Sequence, residues 1–347
     1  MTTLVLGAGG FVGVHLVEAL RAAGVTARCG RRRRSNVLGL RRLGVPLVLA
    51  DLDDPASLAA AMDGCDTVFH LAGHYPRLSL EGDVALATGT RQMRHVLDAA
   101  AAAGVRRLLY VSSTATVAPA EGGGPSNERH VHPGPPGHGT YHDLKWAMEA
   151  MAAAEDRFAV TTVCPGACLG PGDLRVGTSA LLIALARGLD PPHPDGVVSP
   201  VDVRDVALAL TRLAALPDPP PRLVLAQSSR PLHALLVELA GHYGVAPPGP
   251  PLAAADAVAL ADAEEASARR EGRRPLVARE IVDLILHSVP LDTRLAQALD
   301  LRFRPLAETV DALDGWARRV GLIPPPPHKE SDPCRTSPPT STATSPS

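Results

Sequence analysis

Lysine is nearly missing from this chain. Of 34 basic residues only Lys145 and Lys329 are lysines, and arginine serves everywhere else. A lysine set among other reactive side chains is therefore worth examining. Long apolar runs are also lacking, and none approaches the roughly 20 residues a membrane-spanning helix needs. The apolar start Leu4-Val5-Leu6 has no basic residues before it and is interrupted at once by glycines, which does not fit a signal peptide. A soluble, cytoplasmic protein is expected. The formal charge of −2 and pI near 6.7 give no global drive toward nucleic acid or a membrane surface. The five cysteines are scattered. Cys164 and Cys168 form the one close pair and no second pair completes a zinc site, so a reducing compartment and no metal are expected.

Lys145 stands four residues after Tyr141 in Tyr141-His142-Asp143-Leu144-Lys145, ahead of a helix-forming run over 144–154. On a helix this spacing puts both side chains on one face. An ammonium there can hold the tyrosine hydroxyl near a substrate oxygen and favour its phenolate. Bringing a tyrosine from its ordinary value near 10 toward neutrality takes about 4 kcal/mol, within reach of an ammonium plus a cationic cofactor ring. The pair is a candidate catalytic pair.

The length of 347 residues suits one large α/β domain or two lobes. Residues 3–6 read as a buried strand that runs into Gly7-Ala8-Gly9-Gly10-Phe11-Val12-Gly13 and a helix over 14–23. Strand, glycine turn and helix is the arrangement that presents helix N-terminal amides to a dinucleotide pyrophosphate. A second strand over 25–29 leads into Gly30 and four arginines, with no acid nearby. Arg31 and Arg32 are placed to pair with a ribose 2′-phosphate, which favours NADP(H) and leaves NAD(H) open.

Further strands are predicted over 45–50, 67–70, 107–112 and 160–164. Asp54-Pro55 reads as the cap and first position of a helix, and a longer helix covers 83–103. This alternation predicts a parallel, doubly wound sheet of the Rossmann kind. Asp51, Ala72 and Ser112 should then lie along one rim, at the carboxyl ends of the strands. Residues 118–140, rich in Pro, Gly and His, read as a mobile loop over that rim. His130, His132 and His138 there lack regular metal-ligand spacing.

A helix over 204–216 and a returning strand over 223–226 follow. Later helices cover 232–243, 253–270, 276–288 and 306–320. Residues 1–165 are expected to form the cofactor-binding domain, with its sheet completed by about 197–227. Residues 166–196 and 228–323 would make a smaller, mainly helical substrate lobe. From Pro324 the chain is Pro/Ser/Thr-rich and expected to be disordered.

Together these motifs resemble the extended short-chain dehydrogenase/reductase superfamily, in its NAD-dependent epimerase/dehydratase branch, over roughly residues 3–323. The stretch from Gly7 to Gly13 is similar to the family's glycine fingerprint, and Asp51-Leu52 to the pair that contacts adenine. His70-Leu71-Ala72-Gly73 is similar to the strand-four motif beside the cofactor, and Val111-Ser112-Ser113-Thr114 to the active-site strand. By that resemblance Thr114 is the substrate-oxygen hydroxyl, with Ser113 the neighbouring candidate. Tyr141 is the general acid/base, and Lys145 binds the nicotinamide ribose. Pro165-Gly166 follows Cys164 in the segment flanking the nicotinamide. A homodimer through the helices over 83–103 and 144–154 is implied on the same ground. The family's usual asparagine is replaced by Leu86, and the acid of NAD-using members by Arg31.

Sugar-nucleotide dehydratases of the branch carry an Asp-Glu pair after the active-site hydroxyl, where this chain has Ala115-Thr116. Residues 172–202 hold few arginines (Arg175, Arg187) to grip a diphosphate. The resemblance therefore implies the dihydroflavonol-reductase and hydroxysteroid-dehydrogenase side, acting on a small apolar ketone or secondary alcohol. Competing expectations are an NAD-dependent sugar or nucleotide-sugar epimerase, and a non-catalytic NADP-sensing protein.

Overall fold

The computed structural model describes residues 2–73, 82–174, 176–273 and 275–324. The first half alternates strand and helix. In order it holds β1 (Thr3–Leu6), α1 (Phe11–Ala22), β2 (Ala27–Arg31), α2 (Leu38–Arg42), β3 (Leu47–Leu49), α3 (Pro55–Met62), β4 (Thr67–His70), α4 (Gly82–Ala102), β5 (Arg107–Val111), a 3-10 turn (Thr114–Thr116), α5 (Thr140–Ala153) and β6 (Ala159–Pro165). Then come β7 (Ala167–Leu169), α6 (Ala180–Ala186), β8 (Val197–Val198), β9 (Pro200–Asp202), α7 (Val203–Ala215), β10 (Arg222–Leu225) and β11 (Arg230–Pro231). The chain closes with α8 (Leu232–Tyr243), α9 (Ala254–Glu271), α10 (Arg279–Leu286), α11 (Arg294–Ala298) and α12 (Leu306–Arg319).

Seven strands form one parallel sheet in the order β10-β6-β5-β4-β1-β2-β3. The order reverses between β1 and β4, and a doubly wound sheet opens a crevice at the carboxyl ends of such strands. Alternate residues of each strand feed two cores. Val5, Phe69, Leu109 and Val163 pack under α1 and α7, against Leu16, Leu20, Val206 and Leu210. Leu4, Leu6, Val68 and Leu108 face α3, α4 and α5, against Met62, Met93, Leu97, Leu144 and Met148. Both faces are covered, which explains why the strands read as continuous apolar runs. A separate core joins α6, α8 and α12 through Leu182, Leu185, Leu235, Leu236, Leu239 and Leu313.

The sheet and most helices follow the sequence expectations, with shifts at their ends. The second strand starts at Ala27 and runs on to Arg31, because Gly30 and Arg31 pair with Val48 and Leu49 of β3. Helix α1 begins at Phe11, directly on Gly10, and α5 begins at Thr140, so Tyr141 and Lys145 both lie on it. Asp54 caps α3 by accepting from the Ser57 amide, with Pro55 at the first position. Helix α10 is shorter than predicted, and Leu276 before it is exposed. The short elements α2, α11, β7, β8, β9 and β11 carry too little periodicity to be read in advance. The expected disorder of the tail lies outside the described residues, as does Arg175.

Of residues 118–140, expected as a mobile loop, Thr140 opens α5 and 118–139 are strapped to the body. The Ala118 amide donates to His130 O at 3.0 Å, Ser126 N to Pro290 O at 2.8 Å, and Asp292 N to Ser126 O at 2.7 Å. The Trp146 indole of α5 donates to His132 O at 2.9 Å. Proline and glycine here shape a fixed path by long-range bonds that composition does not reveal.

Candidate active site

Because the sheet is parallel, Gly7, Arg31, Asp51, Leu71, Ser112 and Gly166 all follow carboxyl ends of its strands or end one, and so share one rim. At its centre the glycine turn is compressed against the end of β4. Gly7 has a φ of +84°, and a Cβ there would lie 2.7 Å from the Ala72 nitrogen. A Cβ on Gly13 would lie 2.2 Å from Gly7 O. Side chains at these positions are excluded by backbone, which brings Leu71, Ala72 and Gly73 beside the turn. Gly10 caps α1 without any side-chain bond, so the first amides of α1 have no capping group from Gly10 and suit an anionic ligand. Phe11 and Val12 open that helix. This cradle fits a dinucleotide pyrophosphate.

Next to it, Arg31 ends β2 and Arg32 follows. Among the described residues no hydrogen bond or ion pair engages either guanidinium. Asp51 lies in a turn held by α4: Arg91 and Gln92 both donate to Asp53, each at 3.0 Å. Leu52 is buried beneath, and its carbonyl lies 2.8 Å from His95 Nδ1.

On the other side of the crevice, α5 carries Tyr141 and Lys145 over the end of β5. Lys145 Nζ donates to Val111 O at 3.2 Å and lies 5.9 Å from the centre of the Tyr141 ring. Burial lowers the ammonium to about 8, against the smaller opposing pull of Cys164 and Glu149. Burial pushes the Tyr141 phenol up to about 12, and a hydrogen bond from Ser113 works against this. The lowering toward neutrality expected from the lysine is therefore absent: low polarity penalises the phenolate more than the hydrogen bond to Ser113 favours it. Tyr141 is a protonated donor at neutral pH.

The structure thus joins Ser113 to Tyr141, where the family resemblance puts Thr114 first. Ser113 also caps the 3-10 turn through the Ala115 amide, and Thr114 opens that turn one residue further on. Ser112 turns inward. Its hydroxyl donates to the buried Glu149 carboxylate at 2.6 Å, so its proton is already engaged. Pro165 ends β6, and the Gly166 amide donates to Leu225 O at 2.9 Å. Leu86, in the place of the family's asparagine, lies on α4 and supplies only its carbonyl, to Thr90.

Two groups escaped the sequence reading. Glu149 and Arg222 form an ion pair at 2.6 Å behind the active-site strand. Glu149 continues the four-residue spacing of Tyr141 and Lys145, a signal that was available; nothing in the sequence marks Arg222. The second is a histidine cluster beside the N-terminus of α5, where His138 stacks on His287 at 3.9 Å with His132 and His142 edge-on to His138. Among the described residues no group of three His, Cys, Asp or Glu side chains could hold a metal ion, and no helix is long and apolar enough to cross a membrane.

The glycine cradle and the tyrosine–lysine pair lie within residues 3–222, which match the profile of the NAD-dependent epimerase/dehydratase family. The chain belongs to that family. It is thereby an NAD(P)-dependent oxidoreductase of the extended short-chain dehydrogenase/reductase type. A putative dihydroflavonol 4-reductase of Synechocystis is 27% identical, over 92% of this chain and 95% of its own. Cinnamoyl-CoA reductase 1 of rice (Oryza sativa) is 29% identical over 59% of this chain and 65% of its own. Among solved structures, a nucleoside-diphosphate-sugar epimerase from Pseudomonas aeruginosa superposes with a TM-score of 0.76 at 25% identity, covering 93% of this chain and 99% of its own.

Proposed function

We propose that this family member is an NADP(H)-dependent reductase of a small, largely apolar ketone, or a dehydrogenase of the matching secondary alcohol. The observation that carries the reading is Tyr141, protonated, hydrogen-bonded to Ser113 and backed by Lys145, on the same rim as the glycine cradle. The cofactor, when bound, supplies or accepts the hydride. Gly7, Gly10 and Gly13 shape its pyrophosphate site, with Phe11 and Val12 at the mouth of α1. Asp51 and Leu52 border the adenine, while Leu71, Ala72, Gly73, Pro165 and Gly166 line the rim toward the nicotinamide.

Tyr141 donates its hydroxyl proton to the developing alkoxide oxygen as the carbonyl is reduced. Ser113, with Thr114 beside it, orients that oxygen, and the Lys145 ammonium stabilises the phenolate left behind. In alcohol oxidation the same proton returns to Tyr141. Arg31 and Arg32, both unengaged at the end of β2, favour the 2′-phosphate of NADP(H) over NAD(H). The Synechocystis relative, matched nearly end to end, carries the name of a putative dihydroflavonol 4-reductase and supports the reductase reading.

The epimerase neighbour favours a second reading, in which NAD shuttles a hydride on one sugar carbon. Denaturing the purified protein and identifying the released nucleotide separates the two. Protein that arrives empty, binds NADPH more tightly than NADH and oxidises NADPH with an aryl ketone supports the reductase. Stoichiometric tightly held NAD would overturn it in favour of the epimerase.

A further inference from the structure

We infer that Glu149 is a positioning residue for the Tyr141–Lys145 pair, acting through a buried ion pair with Arg222 that locks the active-site corner; this rests on the oxidoreductase reading above. Tyr141, Lys145 and Glu149 stand four residues apart on α5 and so look the same way, onto the end of β5. Glu149 is 6% exposed. One carboxylate oxygen accepts from Ser112 Oγ at 2.6 Å and Thr116 Oγ1 at 2.7 Å, with Cys164 Sγ at 3.7 Å. The other accepts from Arg222 Nε at 2.6 Å.

Arg222 spreads the lock further. Its remaining nitrogens donate to Thr116 O at 3.2 Å and Thr116 Oγ1 at 3.0 Å, and to the carbonyls of Glu128 at 3.0 Å and His130 at 3.3 Å. One buried carboxylate and one guanidinium therefore join α5, the 3-10 turn, β6, β10 and the strapped segment over 118–139. A buried charge persists only when it is paired and bonded on all sides, and this one is. The corner it clamps at both ends, Ser112 and Thr116, holds the Ser113 hydroxyl against Tyr141. Val111, whose carbonyl moors Lys145, immediately precedes it.

The same carboxylate sets the charge around Lys145. The groups facing the ammonium are Tyr141 and Glu149 from α5, His70 from β4, Tyr110 from β5 and Cys164 from β6, with Arg222 of β10 behind Glu149. Burial keeps His70 neutral, at about 3, and keeps the Tyr110 phenol and the Cys164 thiol protonated. Glu149 is the carboxylate among them, and it is ion-paired with Arg222. Without it, Lys145 would face the uncompensated Arg222 guanidinium.

The test uses the scarcity of lysine: with only Lys145 and Lys329 in the chain, 15N-lysine labelling gives two side-chain signals to titrate by NMR. Wild-type Lys145 should titrate near 8. In Glu149→Gln it should titrate roughly one pH unit lower, and the alkaline limb of kcat/KM for ketone reduction should move down with it. A folded Glu149→Gln protein with both unmoved overturns the proposal. Should that variant not fold, the double replacement Glu149→Met with Arg222→Met removes both charges together. Its kcat should then fall roughly tenfold to a hundredfold at unchanged cofactor affinity, because the corner is no longer clamped. A wild-type kcat in the folded double variant overturns the proposal equally. If the wild-type protein reduces no ketone while Lys145 still shifts in Glu149→Gln, the functional reading fails and the coupling of Glu149 to Lys145 stands.

Discussion

Lys145 Nζ donates to Val111 O at 3.2 Å, so the only lysine among the described residues is moored to the last residue of β5. Its ammonium is held at about 8 by burial. As pH rises through that value the ammonium discharges, and the phenolate formed at Tyr141 during reduction loses its neighbour. Ketone reduction should therefore be flat below pH 7 and fall tenfold per pH unit above about 8. A kcat/KM profile that stays level to pH 10 would reject this role for Lys145.

Replacing Tyr141 with Phe removes one hydroxyl and keeps the ring that packs beside Lys145. Turnover should drop by about 10²–10⁴-fold, the usual share of a positioned acid or base. NADPH binding, followed by nucleotide fluorescence, should be unchanged. Retained turnover would remove Tyr141 from the mechanism.

Arg31 ends β2 with its guanidinium unengaged among the described residues, at the position that meets the adenosine ribose in such folds. A charge-assisted bond to a phosphate is worth roughly 1.5–3 kcal/mol. Arg31→Ala should accordingly weaken NADPH by about 10- to 100-fold and leave NADH within a factor of two or so. Equal weakening of both nucleotides would refute the 2′-phosphate contact.

His70 and His142 predict sensitivity to acid. Both are buried and held near 3, His70 by burial and then the Lys145 charge, His142 by burial and then His138, His287 and His132. Unfolded, each would titrate near 6.5, so between pH 6.5 and 3 the unfolded chain takes up protons that the folded one refuses. Stability is then complete above pH 6.5 and falls on acidification by about 1.4 kcal/mol per pH unit for each histidine. The urea midpoint should be clearly lower at pH 5 than at pH 7. Equal midpoints would mean that both rings protonate within the fold.

Much of the fold was legible because its signals are local. Strand ends at Leu6 and His70, the Asp54-Pro55 helix start and the glycine turn each depend on a few adjacent residues. The Tyr141–Lys145 pair was legible for the same reason, since a four-residue spacing is itself a statement about one helix face. The choice between Ser113 and Thr114 was not. Adjacent hydroxyls differ only in direction, and that direction comes from Ser113 capping the turn and reaching Tyr141. Nor could composition reveal that residues 118–139 are strapped down, because their partners at Pro290 and Arg222 lie far along the chain.

The sequence by itself determined the alternating α/β order, the glycine turn before α1 and the helical face that Tyr141 and Lys145 share. Each follows from backbone geometry acting over a few residues. Tertiary structure alone decided the ionisation of that pair and the clamp behind it. Desolvation holds Tyr141 near 12 and Lys145 near 8, and Glu149 finds Arg222 across 73 residues. Burial and long-range pairing depend on which surfaces the packed sheet and helices bring together, and no spacing along the chain encodes them.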